Sequence, residues 1–204
     1  MYYASLRNYN MIIMQRSPNY IYKAKGIFKS RLFLATVALL LVVSTGSFLY
    51  LKDNFHAITP GEAYRSAQLD SDKLEFYVKK HQIKSILNLR GCRPDHDWYK
   101  EEVRTSANLN VAHYDISLSA TREPTPEEVK ELILIFRTAP RPLLIHCRAG
   151  ADRSGLAAAM WKVIIDHEPK SEARKQLSIM FAHIPIGGPE AMDHFFDNWD
   201  PTAN

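Results

Sequence analysis

The chain has 204 residues, enough for one domain of ordinary size with an extension. Its formal charge of +4 arises before Asp53, where seven basic residues stand without an Asp or Glu. The remaining 19 basic residues face 22 acidic ones, so the composition gives no support to nucleic-acid binding. Two cysteines, Cys92 and Cys147, exclude a disulfide scaffold or a Cys-rich zinc site, and no His-Glu-x-x-His or Cys-x-x-Cys pair calls for a metal or other cofactor.

Residues 1–31 mix polar, aromatic and basic side chains without a period and read as a basic tail. Residues 32–51 carry no charge over a length sufficient to cross a bilayer. Lys23, Lys25, Lys29 and Arg31 precede this run, whereas Lys52 and Asp53 nearly cancel after it. That asymmetry predicts a transmembrane anchor with its N-terminus in the cytoplasm and the following domain outside it, in the periplasm of a Gram-negative cell. Small residues around Ser44 and Ser47 keep a cleaved signal peptide as the rival reading, with a buried core helix as the third.

Beyond a short connector, residues 60–68 read as a turn and a first strand, and 69–81 as a helix with Leu74, Tyr77 and Val78 on one side. Residues 83–89 are β-branched enough for a central strand that ends at Arg90-Gly91. A helix at 97–107 and a short strand at 111–115 follow. The polar, Pro-broken stretch 116–125 reads as an exposed loop. Thr125 as N-cap, Pro126 at the first helical position and Glu127 and Glu128 in the first turn open a helix to about residue 138. After Pro142 comes a buried strand at 143–145. Residues 155–166, 171–182 and 189–199 complete the chain as three helices, and the alternation of strands with helices indicates an α/β domain over residues 55–200.

Between the last strand and the helix at Gly155 runs His146-Cys147-Arg148-Ala149-Gly150-Ala151-Asp152-Arg153-Ser154. A loop on a helix N-terminus offers unsatisfied N–H groups and the positive end of the dipole to an oxyanion. Arg148, Ala149, Gly150, Ala151, Asp152 and Arg153 are therefore the candidate phosphate-binding residues. The same field favours a thiolate, which makes Cys147 the candidate nucleophile. Arg153 offers a planar fork to two phosphoryl oxygens, which a Lys cannot do, and Ser154 a hydroxyl for the sulfur as it leaves.

A Cys, five residues, an Arg and a Ser, preceded by His and entered from a strand, resembles the signature of cysteine-dependent tyrosine and dual-specificity phosphatases. Residues 55–199 as a whole resemble compact bacterial members of periplasmic or membrane-associated type. The resemblance implies a twisted, mainly parallel sheet flanked by helices, and hydrolysis of phosphomonoesters, foremost protein phosphotyrosine, through a phosphocysteine on Cys147. In that family an Asp in the loop before the signature protonates the leaving group; here the loop reads Ser119-Ala120-Thr121-Arg122, and Thr121 stands at that place. Asp152, by resemblance to lipid phosphatases with an Asp-Arg pair in the signature, then Asp115, then Glu123 are the candidates to replace it, with structural roles for the first two as the competing readings. A missing acid favours aryl over alkyl phosphates. Tensin-homologue lipid phosphatases imply that Cys92 pairs reversibly with Cys147; the alternative is a small buried hydrophobe. Two further functions stay open: a phosphate-binding module without turnover, and hydrolysis of phosphoinositides or inositol phosphates.

Overall fold

A computed structural model describes residues 33–45 and 53–203. The chain divides into two compact units, Met1–Phe48 and Leu49–Asn204. In the first, the described residues form one helix, α1 (33–45), whose Phe33, Leu34 and Leu39 are exposed. At 1.5 Å per residue it is about 20 Å long, against a hydrocarbon core of about 30 Å. Among the described residues no helix is long and apolar enough to cross a membrane. The tail 1–31, and residues 32 and 46–51 of the expected span, lie outside the described residues.

The second unit is built on a five-stranded sheet of order β1-β2-β5-β3-β4. Its strands are β1 (His56–Thr59), β2 (Ala63–Ser66), β3 (Ser85–Asn88), β4 (Ala112–Asp115) and β5 (Leu143–His146). β1 pairs antiparallel with β2, and every other pairing is parallel, so the expected mainly parallel sheet is present. The single strand expected at 60–68 is in fact the second half of a hairpin. β1 is largely unburied and four residues long, too short and too mixed to show alternation.

Alternation along β5 divides the core in two. Leu143 and Ile145, with Leu87 of β3, join a cluster containing Leu132 and Phe136 of α4 (Pro126–Thr138), Trp161 of α5 (Asp152–Ile164) and Phe196 of α7 (Glu190–Asn198). Leu144, with Tyr64 and Ile86, faces Leu74 and Val78 of α2 (Ser71–His81) and the Leu109 end of α3 (Asp97–Asn108). Thr125 and Glu128 form the reciprocal capping box that starts α4, with Pro126 at its first position. In-register pairing sets Ser66, His146, Asn88 and Asp115 in one polar row at the C-terminal edge of the sheet, the edge where parallel α/β sheets place ligands.

Two helical expectations change. α5 starts at Asp152 rather than Gly155, which puts Arg153 and Ser154 inside its first turn. The helix expected at 171–182 is broken into α6 (Lys170–Ala173) and two 3-10 turns, Arg174–Gln176 and Ile179–Phe181. The cause is tertiary: the Gln176 carbonyl turns inward to accept from the buried Arg65 at 2.8 Å, and Ala182 closes the segment in the left-handed region at φ 61°.

Candidate active site

β5 lies in the middle of the sheet and delivers Cys147, 2% exposed, to a loop that closes on the first turn of α5. The conformation of that loop follows from where its carbonyls go. The Arg148 carbonyl accepts from the Gln68 N–H at 3.2 Å, and the Ala149 carbonyl from Asn54 Nδ2 at 2.9 Å. The Gly150 and Ala151 carbonyls both accept from Arg65 Nη2, at 2.8 and 2.9 Å. Four consecutive carbonyls are thus held from outside the loop. Because a trans peptide sets its N–H opposite its C=O, the N–H groups of residues 149–152 turn to the other side. None of the N–H groups of residues 148–151 donates to another backbone carbonyl among the described residues. With the orphan N–H groups of the first turn of α5 that follow, they make a run of free backbone donors of the kind that can bind an oxyanion.

Gly150 is required for this path. Its φ is +69°, and a Cβ there would lie 2.6 Å from Ala67 N and from the Ser66 carbonyl carbon, both backbone atoms. Arg65 is the main brace. It is fully buried on β2, its Nη1 donates to the Gln176 carbonyl and Oε1, and its guanidinium lies over the Phe181 ring at 4.5 Å. Burial lowers its pKa to about 10 against the opposing pull of Cys147 and Asp152, so the group stays charged at neutral pH beside the sulfur.

Arg153 reaches from α5 to the loops after β3 and β4, with Nη1 3.3 Å from the Leu89 and Leu118 carbonyls. Its Nε and the Ser154 hydroxyl, the group expected to serve the sulfur, are buried without a hydrogen-bond partner among the described residues. His146, next to Cys147, has Nε2 3.1 Å from Glu102 Oε1. The same oxygen lies 2.9 Å from His113 Nε2, and Gln68 Nε2 donates to the other. Burial alone would raise the Glu102 pKa, but His146 and His113 hold it well below the usual carboxylate range. Glu102 is thus a buried anion that orients the imidazole at the entrance to the loop.

The candidate acids are all engaged. Asp152 Oδ1 lies 2.8 Å from His183 Nδ1, and His183 Nε2 lies 2.7 Å from Asp193 Oδ2. Carboxylates only accept, so the buried His183 donates from both nitrogens as an imidazolium. Burial would lower its pKa, and the two carboxylates overcome that and raise it. Asp115 accepts from Asn88 Nδ2 at 2.7 Å and from the Tyr99 hydroxyl. Glu123 pairs with His194 at the surface. Thr121 is exposed and packs on Gly188, where an added Cβ would lie 2.3 Å from its Cγ2. Cys92 is exposed beside the Tyr99 hydroxyl, Cys147 is buried, and both thiols are free. Among the described residues no group of His, Cys, Asp and Glu is arranged to hold a metal ion.

Sequence reading gathers Cys147 to Ser154 but misses Asn54, Arg65, Glu102 and His183. The one local signal was Arg65 itself, a cation inside a strand flanked by Tyr64 and Ser66.

Residues 52–185 match a family described as DSP-PTPase phosphatase fused to NAD+ kinase. The inositol diphosphatase SIW14 of Saccharomyces cerevisiae is 29% identical over 108 residues, a stretch that spans 50% of this chain and only 37% of that relative. Among solved structures, TpbA of P. aeruginosa superposes with a TM-score of 0.60 at 21% identity, over 74% of this chain and 88% of that one. The core catalytic domain of the PP-IP phosphatase SIW14 from S. cerevisiae gives 0.58 at 22% identity, over 72% and 85%. At these identities the two structures share the fold.

Arg65→Lys keeps the charge and loses the fork that joins the Gln176 carbonyl to those of Gly150 and Ala151. It is expected to lower Tm and to weaken binding of vanadate, a phosphate analogue, by about tenfold or more; unchanged vanadate affinity in a less stable protein would mean that Arg65 braces the fold and not the loop. His183 supplies a pH signature. A folded-state pKa above the unperturbed value of about 6.5 gives stability that is complete below that pH and is lost as pH rises through the raised value. The Tm difference between wild type and His183→Gln is therefore expected to shrink as pH rises above about 6.5, and a difference that widened would contradict the paired imidazolium.

Proposed function

The chain belongs to the cysteine-dependent dual-specificity and tyrosine phosphatase family, and on that premise we propose that it hydrolyses phosphate esters with Cys147 as nucleophile. The observation that supports this reading is the outward capture of the carbonyls of residues 148–151 in the loop that follows the buried Cys147, which turns the intervening N–H groups to the opposite side.

The reaction has two displacements. The Cys147 thiolate forms an S–P bond as the bond from phosphorus to the ester oxygen breaks, and the leaving oxygen carries off the electron pair. Charge on the equatorial oxygens is met by the loop N–H groups and by the Arg153 fork. Water then attacks phosphorus, the S–P bond breaks, orthophosphate leaves and the thiolate is restored. Both steps place negative charge where the donors already point.

Substrate choice turns on the leaving group. Thr121 has no carboxyl, and Asp115, Asp152 and Glu123 are each tied to a partner. An oxygen that departs without a proton must be a weak base. A phenol, with a pKa of about 10, meets this far better than an aliphatic alcohol, so the reading favours phosphotyrosine over phosphoserine. A phosphoanhydride, whose leaving group is itself a phosphate, meets the same requirement.

The test is turnover by the full-length chain on a phosphotyrosine peptide, a phosphoserine peptide and an inositol phosphate, each beside Cys147→Ser. Release from phosphotyrosine that depends on Cys147 and exceeds release from phosphoserine by about 10²-fold or more is expected. Equal rates on the two peptides would mean that a general acid is at work. No release from any substrate by a protein that still binds vanadate would make the loop a recognition module.

A further inference from the structure

A cation from outside the signature also belongs to the loop. Arg90 follows the Leu89 carbonyl that Arg153 contacts, in the turn after β3. Its guanidinium stacks on the Trp98 indole, with Cζ 3.5 Å from the ring centroid, and its Nη1 donates to Gln68 Oε1 at 2.8 Å. Its backbone N–H donates to Asn88 Oδ1 at 2.9 Å. Gln68 is the residue whose own N–H holds the Arg148 carbonyl, so a single residue links Arg90 to the phosphate-binding loop. One face of the guanidinium is covered by indole and one edge is fixed by an amide. The Nε and Nη2 donors have no protein hydrogen-bond partner among the described residues, and the side chain is partly exposed.

The charge around Arg90 is unbalanced. The arginine ion pairs among the described residues involve Arg122, Arg141 and Arg174, and none involves Arg90, Arg148 or Arg153. Glu102 is the one carboxylate felt by Arg90, and its two oxygens are taken by His146, His113 and Gln68. Burial and then the proximity of Arg153 and Arg148 lower the Arg90 pKa, with Glu102 and Cys147 acting in the opposite sense. A single phosphoryl group would take up the loop N–H groups and the Arg153 fork, and the fork of Arg90, oriented and with open donors, would remain.

We propose that Arg90, held by Trp98 and Gln68, binds a second phosphoryl group on the same small molecule as the one that enters the loop, and so selects substrates with two neighbouring phosphoryl groups over simple monoesters. This rests on the phosphatase reading for the identity of the group beside Cys147. A planar fork suits the task because it engages two oxygens of the second group at once. Stacking on Trp98 fixes the plane of that fork before the ligand arrives.

Calorimetric titration of the full-length Cys147→Ser chain with inorganic phosphate and with inorganic pyrophosphate tests this without turnover. Pyrophosphate is expected to bind more tightly than phosphate. Adding Arg90→Met is expected to weaken pyrophosphate by about tenfold or more, and phosphate by less than about threefold. Trp98→Leu, which leaves every hydrogen bond in place, is expected to shift the preference in the same direction by a smaller factor. Equal weakening of both anions by Arg90→Met would reduce Arg90 to a general field and overturn the proposal, as would an unchanged pyrophosphate affinity. Should Arg90→Met fail to unfold cooperatively, Trp98→Leu decides, and an unaltered preference there overturns the proposal. Failure of the phosphatase reading would appear separately, as the absence of Cys147-dependent turnover in the wild-type chain.

Discussion

The buried Arg65 guanidinium, donating through one nitrogen to the Gly150 and Ala151 carbonyls, is the interaction on which the site depends. A loop of small residues has no intrinsic reason to point consecutive N–H groups at one place. It does so here because Gln68, Asn54 and Arg65 take every carbonyl from Arg148 to Ala151 on the opposite side. The cost of burying a cation is offset by hydrogen bonds to the Gly150, Ala151 and Gln176 carbonyls and by the stacking contact with Phe181. The break in the helix expected at 171–182 belongs to the same arrangement, since the Gln176 carbonyl must leave a helical path to reach Arg65.

Buried carboxylates play a supporting part. Glu102 joins His146, at the entrance to the loop, to His113 on β4 and Gln68 beyond β2, tying three strands of the sheet edge to one anion. His183 does the converse, a cation between Asp152 and Asp193 that partly neutralises the carboxylate in the first turn of α5. Without it Asp152 would oppose the anion that the helix N-terminus attracts. The positive field at the loop is thus supplied by Arg65, Arg90, Arg148 and Arg153, none of which forms an ion pair with a carboxylate among the described residues.

What could be read in advance divides by sequence separation. The strand at 143–146, the loop that carries Cys147 and the helix that carries Arg153 are contiguous, and capping at Thr125 is local, so residue type and spacing sufficed to place these elements. The supports are remote: Arg65 is 85 residues from Gly150, Asn54 is 95 from Ala149 and Glu102 is 44 from His146. Periodicity hides them further. α3 buries Glu102, Thr105 and Ser106, a polar face that an amphipathic reading assigns to solvent. The stretch 171–182 failed for a related reason, because local propensity favoured a helix and a distant arginine claimed one of its carbonyls.

The measurement that tests the central claim most directly is the response of the backbone amide resonances to orthovanadate titrated into the full-length chain. If the captured carbonyls turn the intervening N–H groups toward the anion, the largest downfield shifts fall on the amides of residues 149–153 and weaken together in Arg65→Lys. Shifts confined to side chains, or centred outside residues 147–154, would contradict this account of the loop.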